Sequence, residues 1–336
     1  MKRIAIIKLS AMGDIIHAMV ALQYIKKHFS TLQIDWFVED SFCGILENNP
    51  HINEIIKLSL KSIKKDKKEI FKQLKLVKEY SKNSYDLVID AQGLIKSSLV
   101  ARFLGKNRVG FSKDSTREKL ASFFYTQKVQ IAYDKNAIDR NAKVLSSNLG
   151  FKITKADILN KEPFLFFKDE DKVIYDYMNI TKKNILFVIG ASWKSKIYSK
   201  EKFAKIINNL DENCLITWGN EEEKQSALFI AKISKARVLP KLDLNSLKAI
   251  VSKVDLVIGN DTGPTHMAWA LNVASITIFG NTPGYRNTYQ TSINKVIESG
   301  SLVNPFKLDK NDFSINEIDE NKIVKMAKEL LYEKKN

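Results

Sequence analysis

Cysteine is nearly absent: Cys43 and Cys214 stand in opposite halves of a 336-residue chain, with no metal-type spacing around either. A disulfide framework and a zinc site are therefore excluded as organising features, and both thiols are expected to be ordinary buried side chains. No apolar run approaches the roughly 20 residues that a membrane span requires, and the first apolar stretch is too soon broken, at Lys8, to be a signal-peptide core. A cytoplasmic protein is expected. Acidic residues are in deficit, 38 Asp and Glu against 54 Lys and Arg, which leaves a formal charge of +16. That balance favours an anionic partner such as a phosphorylated substrate, an acidic membrane surface or nucleic acid. Nucleic acid is the weakest of the three. The densest basic cluster, Lys61, Lys64, Lys65, Lys67 and Lys68, has no aromatics interleaved with it, and no nucleic-acid motif accompanies it. The Walker and GxGxxG phosphate-binding patterns are missing too.

What is present is alternation. The length suits two domains of about 150 residues each. In the first half, strands are expected at 3–8, 34–38, 54–57, 86–90 and 107–111, with helices at 14–29, 68–82 and 93–104. Over 68–82 the side chains of Ile70, Phe71, Leu74, Val77 and Tyr80 share one face. After a connection around 162–183 the pattern repeats, with strands at 184–189, 214–218, 237–239, 255–259 and 274–279 and helices at 199–210, 221–234, 244–252 and 264–271. Such alternation implies right-handed crossovers and two mostly parallel, Rossmann-like sheets, hence α/β architecture with a cleft between domains. From Ser314, a possible capping box with Glu317 leads into an amphipathic helix through Ile318, Ile323, Met326, Ala327 and Leu330, expected to pack back on the first domain.

Three strand-to-helix turns carry the chemistry, because open α/β sheets bind ligands at the carboxyl ends of their strands. The first is Lys8-Leu9-Ser10-Ala11-Met12-Gly13-Asp14, where Gly13 permits a tight or positive-φ turn and Asp14 arrives at a helix start, towards a ligand or simply as cap. In the second, Asp90-Ala91-Gln92-Gly93, Asp90 and Gln92 either face the same cleft or tie down nearby amides. The third, Gly259-Asn260-Asp261-Thr262-Gly263-Pro264-Thr265-His266, opens a helix whose free N–H groups and dipole suit a phosphate.

The segments at 8–18 (Lys-Leu-Ser-Ala-Met-Gly-Asp-Ile-Ile-His-Ala), 90–97 (Asp-Ala-Gln-Gly-Leu-Ile-Lys-Ser), 116–125, 218–223 (Trp-Gly-Asn-Glu-Glu-Glu) and 260–266, in that order, resemble glycosyltransferase family 9, and within it the branch that adds the first inner-core heptose more than the second. The resemblance covers nearly the whole chain. It implies a GT-B fold with an acceptor-binding N-terminal domain (1–165), a donor-binding C-terminal domain (166–313) and a returning C-terminal helix (314–336). The implied donor is ADP-L-glycero-β-D-manno-heptose and the implied acceptor the inner Kdo of Kdo-lipid A. The reaction would be one inverting displacement, without cofactor or metal, at the cytoplasmic face of the inner membrane, and with no nucleic acid involved.

By that resemblance Asp14 is the general base, and Lys196, with Lys194 as rival, meets the donor phosphates. Ser192, Asp261, Thr262, Gly263 and His266 complete the donor site. Ribose contact falls to Glu222, with Glu221 and Glu223 as neighbours. Ser10, Gly13, Gln92, Arg117, Arg140 and the loop Lys61, Lys64 and Lys65 would meet the acceptor. The only carboxylate run resembling a metal motif, Asp169-Glu170-Asp171, reads as helix surface in the interdomain connection. Two other classes share the architecture or the charge. A two-domain nucleotide-sugar epimerase would turn over donor alone, and a non-catalytic nucleotide-sugar or anionic-lipid binding protein would release no ADP.

Overall fold

The computed structural model describes residues 1–64, 66–168 and 172–333; Lys65 and the Asp169-Glu170-Asp171 run lie outside them. The chain divides into two compact units, Met1–Phe166 and Phe167–Asn336.

In the first unit the elements run β1 (Arg3–Ile7), α1 (Met12–His28), β2 (Gln33–Glu39), β3 (Glu54–Leu58), α2 (Glu69–Ser81), β4 (Leu87–Asp90), α3 (Ile95–Leu104), β5 (Arg108–Phe111), β6 (Gln127–Val129), α4 (Ala137–Ser146) and α5 (Lys155–Leu159). All six strands are parallel, in the order β3-β2-β1-β4-β5-β6. The chain winds outward from β1 in one direction and from β4 in the other. The loops after β1 and β4 therefore stand side by side at this switch point, the place where open α/β sheets put their ligands. Ile4, Ala5, Ile6 and Ile7 are fully buried, as a strand covered on both faces requires.

The second unit repeats the plan: β7 (Asn184–Val188), α6 (Lys200–Leu210), β8 (Asn213–Thr217), α7 (Glu221–Lys232), β9 (Arg237–Val238), α8 (Leu244–Lys253), β10 (Leu256–Asn260), α9 (Gly263–Ala270), β11 (Ala274–Phe279), α10 (Gly284–Asn287), β12 (Asn294–Glu298) and α11 (Glu320–Tyr332). The order β12-β11-β10-β7-β8-β9 puts its switch point between β7 and β10. Gly259 on β10 fits closely there. A Cβ would lie 2.6 Å from the Val188 Cβ and 2.7 Å from the Thr265 Oγ1, so any side chain would push β7 and α9 away.

Three expectations are corrected. The C-terminal helix belongs to the second unit: Ile323, Val324 and Ala327 pack in a core with Phe203, Ile206, Ile207, Ile258 and Ile278, and Glu320 pairs with Lys202 and Lys205 on α6. Its cap is Asp319, which accepts the Asn321 N–H at 2.9 Å, while Ser314–Glu317 forms a separate 3-10 turn. On α2 only Val77 of the expected apolar face is buried; Ile70, Phe71 and Leu74 point into solvent. Gly13 sits inside the first turn of α1 without a positive φ, and the glycine of these turns that does take one is Gly93, at +70°.

Candidate active site

At the first unit's switch point the two loops are laced together. The Gln92 Oε1 accepts the N–H groups of Leu9 at 2.9 Å and Ser10 at 3.0 Å, and the Lys8 ammonium donates to the Ala91 carbonyl at 2.8 Å. Gln92 is itself aimed by Asp90. One Asp90 oxygen accepts the amides of Gln92 and Gly93 at 2.8 and 3.1 Å, and the other accepts the Tyr125 hydroxyl at 2.7 Å. Burial pushes the Asp90 carboxyl up, against the pull of these hydrogen bonds, so the group is spent on bracing the turn.

Asp14 is more open. It is the third residue of α1, with Ala11 at the N-cap, and its Oδ2 accepts the Ala11 N–H at 3.3 Å. Among the described residues its Oδ1 takes no hydrogen bond, so half of the carboxylate is available to a hydroxyl; the rest does the capping that its position suggests. The Ser10 hydroxyl and the Gln92 Nε2 likewise make no hydrogen bond among the described residues.

The basic residues divide by burial. Arg117 is exposed, between two anchored neighbours: Thr116 donates to the Gly93 carbonyl at 2.5 Å, and Glu118 accepts the Ile95 N–H, at the start of α3, at 2.7 Å. The backbone that carries Arg117 is thereby anchored beside the β4–α3 turn. Arg140, expected at the acceptor, is buried. It donates to the carbonyls of Ile131, Ala132 and Ser115 and stacks against Phe111 and Tyr133, which orders the segment leading to Arg117. This corrects its expected role, from substrate contact to positioning residue. The exposed Lys61 lies with its ammonium 4.5 Å from the Phe42 ring centre, and Lys64 closes a 3-10 turn.

In the second unit the loop after β7 is pinned on both sides. Asn260 accepts the Tyr198 N–H at 3.1 Å and donates to the Ile189 carbonyl at 2.7 Å, while Asn281 donates to the Ser195 Oγ at 2.8 Å. Between these anchors Lys196 reaches Asp261, Nζ to Oδ2 at 2.6 Å, with both side chains largely buried. Asp261 also meets the His266 Nε2 through its Oδ1 at 3.0 Å, and its Oδ2 accepts from Thr282 at 2.9 Å and Asn287 at 3.4 Å. Burial would raise this carboxyl, but the Lys196 charge, followed by the contacts with His266, outweighs it and holds the group well below the usual carboxylate range. Thr262 is the N-cap of α9 and Gly263 its first residue, so this turn offers amides that no helical carbonyl can satisfy.

Lys194 takes a different direction. With Glu222, Ile197 and Tyr198 it lines a pocket of about 380 Å³, and Ser192 is exposed beside it in sequence. Of the three glutamates, Glu221 is exposed near Lys224 and Gln225. Glu223 accepts the Gly219 N–H at 2.7 Å, and its carboxylate fills the space a Cβ at Gly190 would need. Glu222 keeps an exposed carboxylate at the pocket.

Thr282 and Asn287 were not expected. A signal exists: Gly280-Asn281-Thr282-Pro283-Gly284 after β11 echoes Gly259-Asn260-Asp261-Thr262-Gly263-Pro264 after β10, a fourth strand-to-helix turn of the same make-up.

The profile of glycosyltransferase family 9 (heptosyltransferase) matches residues 73–304. The chain is 42% identical to lipopolysaccharide heptosyltransferase 1 of Campylobacter coli over 98% of each protein. It is 29% identical to the protein of that name from Pseudomonas aeruginosa, over 86% of this chain and 82% of that one. Among solved structures, Escherichia coli heptosyltransferase WaaC with ADP superposes with a TM-score of 0.80 at 23% identity, covering 98% of this chain and 99% of that one, a likeness of fold.

Proposed function

The chain belongs to glycosyltransferase family 9, and on that premise we propose that it transfers L-glycero-D-manno-heptose from ADP-heptose to the inner Kdo of Kdo-lipid A, by a single inverting displacement. It is an enzyme of lipopolysaccharide inner-core synthesis with two parallel doubly wound sheets of the GT-B fold. The observation that carries the reading is the second unit's switch point, where a buried Asp261 carboxylate is held by Lys196, His266 and Thr282 at the N-terminus of α9.

A departing diphosphate gathers negative charge as the bond from the sugar's anomeric carbon breaks. The amides of Thr262 and Gly263 and the Lys196 ammonium receive it, with Ser192 and Lys194 alongside, so that no divalent ion is required. Asp261, fixed as an anion, accepts from the heptose hydroxyls and faces the positive charge that develops on the anomeric carbon. His266 fixes its orientation. The nucleoside end lies by the pocket that Glu222 and Lys194 line, with Glu222 on the ribose.

In the first unit the free oxygen of Asp14 takes the proton of the attacking Kdo hydroxyl as that oxygen bonds to the anomeric carbon. The nucleophile approaches opposite the leaving group, so a β-linked donor gives an α-linked product. Ser10 and Gln92, whose Nε2 is free to donate, orient the acceptor beside Gly13. Arg117, Lys61, Lys64 and Lys65 neutralise its carboxylates and phosphates as point charges. An acceptor anchored in lipid brings the enzyme transiently to the cytoplasmic face of the inner membrane.

An assay of ADP release from ADP-heptose and Kdo-lipid A, with a chelator present and each substrate omitted in turn, tests this. Release only when both are present supports transfer. Release from the donor alone, or binding of donor with no release when both are supplied, would contradict it.

A further inference from the structure

On the first unit, α2, α3 and the 3-10 segment Lys119–Phe124 pack side by side and cover one face of the sheet. Their inward residues, Val77, Val100, Ala101 and Leu104, join the core. Their outward residues are unusual. Ile95, Leu99 and Phe103 form a solvent-facing stripe one turn apart along α3, flanked by Phe71 of α2 on one side and by Leu120 and Phe123 on the other. Phe71 is 73% exposed, Phe123 70% and Leu120 61%, values that place whole side chains in water. The stretches of chain that contain these elements also hold most of its excess charge: residues 61–82 and 95–128 have seventeen Lys and Arg against five Asp and Glu, a net +12 of the +16 carried by all 336 residues.

We propose that this face docks on an anionic bilayer surface, with the aromatic and aliphatic tips entering the headgroup–acyl boundary and the surrounding lysines and arginines meeting lipid phosphates. The two signals match what reversible interfacial binding requires, buried apolar area plus electrostatic attraction. A second copy of the chain is the poorer occupant, because stacking this face on itself would oppose two strongly positive surfaces. Lysine and arginine stems can lie along the apolar stripe while their heads reach the phosphates. The inference deepens the proposed function and rests on it in one respect: a lipid-borne acceptor gives the docking its purpose. Arg117, two residues before Lys119, would then stand where headgroup meets protein.

The test uses the full chain and sedimentation with vesicles of phosphatidylethanolamine and phosphatidylglycerol, with phosphatidylcholine vesicles in parallel and no glycolipid in either. Binding is expected to the anionic vesicles and to weaken as salt screens the basic residues. The double variant Phe103→Ser/Phe123→Ser should lose roughly tenfold in vesicle affinity, since two exposed rings no longer leave water. Its melting temperature, and its turnover on a deacylated, water-soluble Kdo acceptor, should stay as in the wild type. Unchanged vesicle binding by the variant would overturn the proposal. So would wild-type self-association that the variant abolishes without any effect on vesicles. Because no acceptor is present, failure of the transfer reading would leave vesicle binding intact, and failure of the docking reading would leave turnover on the soluble acceptor intact.

Discussion

Replacing Lys196 with Met keeps most of the side-chain volume and removes the ammonium that sits 2.6 Å from Asp261. Breaking a buried pair from one side costs about 3–5 kcal/mol, because the remaining charge is left uncompensated. Here Asp261 keeps Thr282 at 2.9 Å, His266 at 3.0 Å and Asn287 at 3.4 Å, so the loss should be about 2–3 kcal/mol. For a unit of this size that is a fall of roughly 5–10 °C in melting temperature. The pH dependence has a definite sign. The folded-state pKa of Asp261 is depressed, so its contribution is present above the unfolded value of about 3.9 and is lost as pH falls through the folded value. Without Lys196, burial is no longer outweighed and the carboxyl rises, so the difference between variant and wild type should shrink from pH 7 towards pH 4.5. Adding Asp261→Asn removes the stranded charge, and the double variant should lose less than the sum of the singles by about 1–3 kcal/mol. Calorimetric melts of the four proteins at both pH values read all of this. Strict additivity, or a Lys196→Met melt within about 1 °C of wild type at pH 7, would mean that Lys196 does not hold the Asp261 charge.

Tyr125→Phe strips one partner from the fully buried Asp90 and should cost about 1–3 kcal/mol in urea unfolding, with no new cavity to blame. Glu222→Ala should weaken ADP binding by calorimetric titration with little change in melting temperature. Glu223→Ala should do the reverse, because that carboxylate holds the Gly219 amide. Burial lowers the Lys161 amine to about 8 from 10.5, so the folded protein gives up a proton before the unfolded chain does. Stability should therefore climb between those two pH values, and Lys161→Met should flatten that rise in urea midpoints measured across it.

The three turns that carry the chemistry were legible because each apolar run stops abruptly at polar or glycine residues, and that boundary is a property of the chain alone. Helix α11 was legible as an amphipathic stripe, but its partner was not: Ile323 and Ala327 fit α6 and β11, and no periodicity says which sheet a stripe will meet. On α2 the spacing of Ile70, Phe71, Leu74, Val77 and Tyr80 showed a shared face but not how much of it the protein covers, and Ile70, Phe71 and Leu74 are exposed. Arg140 was visible as a charge, whereas its cage of carbonyls comes from two separate segments that only the fold assembles. The edge strands β6 and β12 escaped notice because Gln127–Val129 and Asn294–Glu298 are short and polar. Thr282 and Asn287 reach Asp261 through tertiary contact, although the turn that presents Thr282 could have been found by its likeness to the one before α9.

On the proposed mechanism the first unit supplies the proton acceptor and the second holds the donor. Asp14→Asn separates the two, with ADP-heptose turnover on Kdo-lipid A and ADP titration done on the same preparation. Turnover should fall about 100- to 10,000-fold with ADP affinity unchanged. Turnover near that of the wild type, or ADP binding lost together with turnover, would contradict that mechanism.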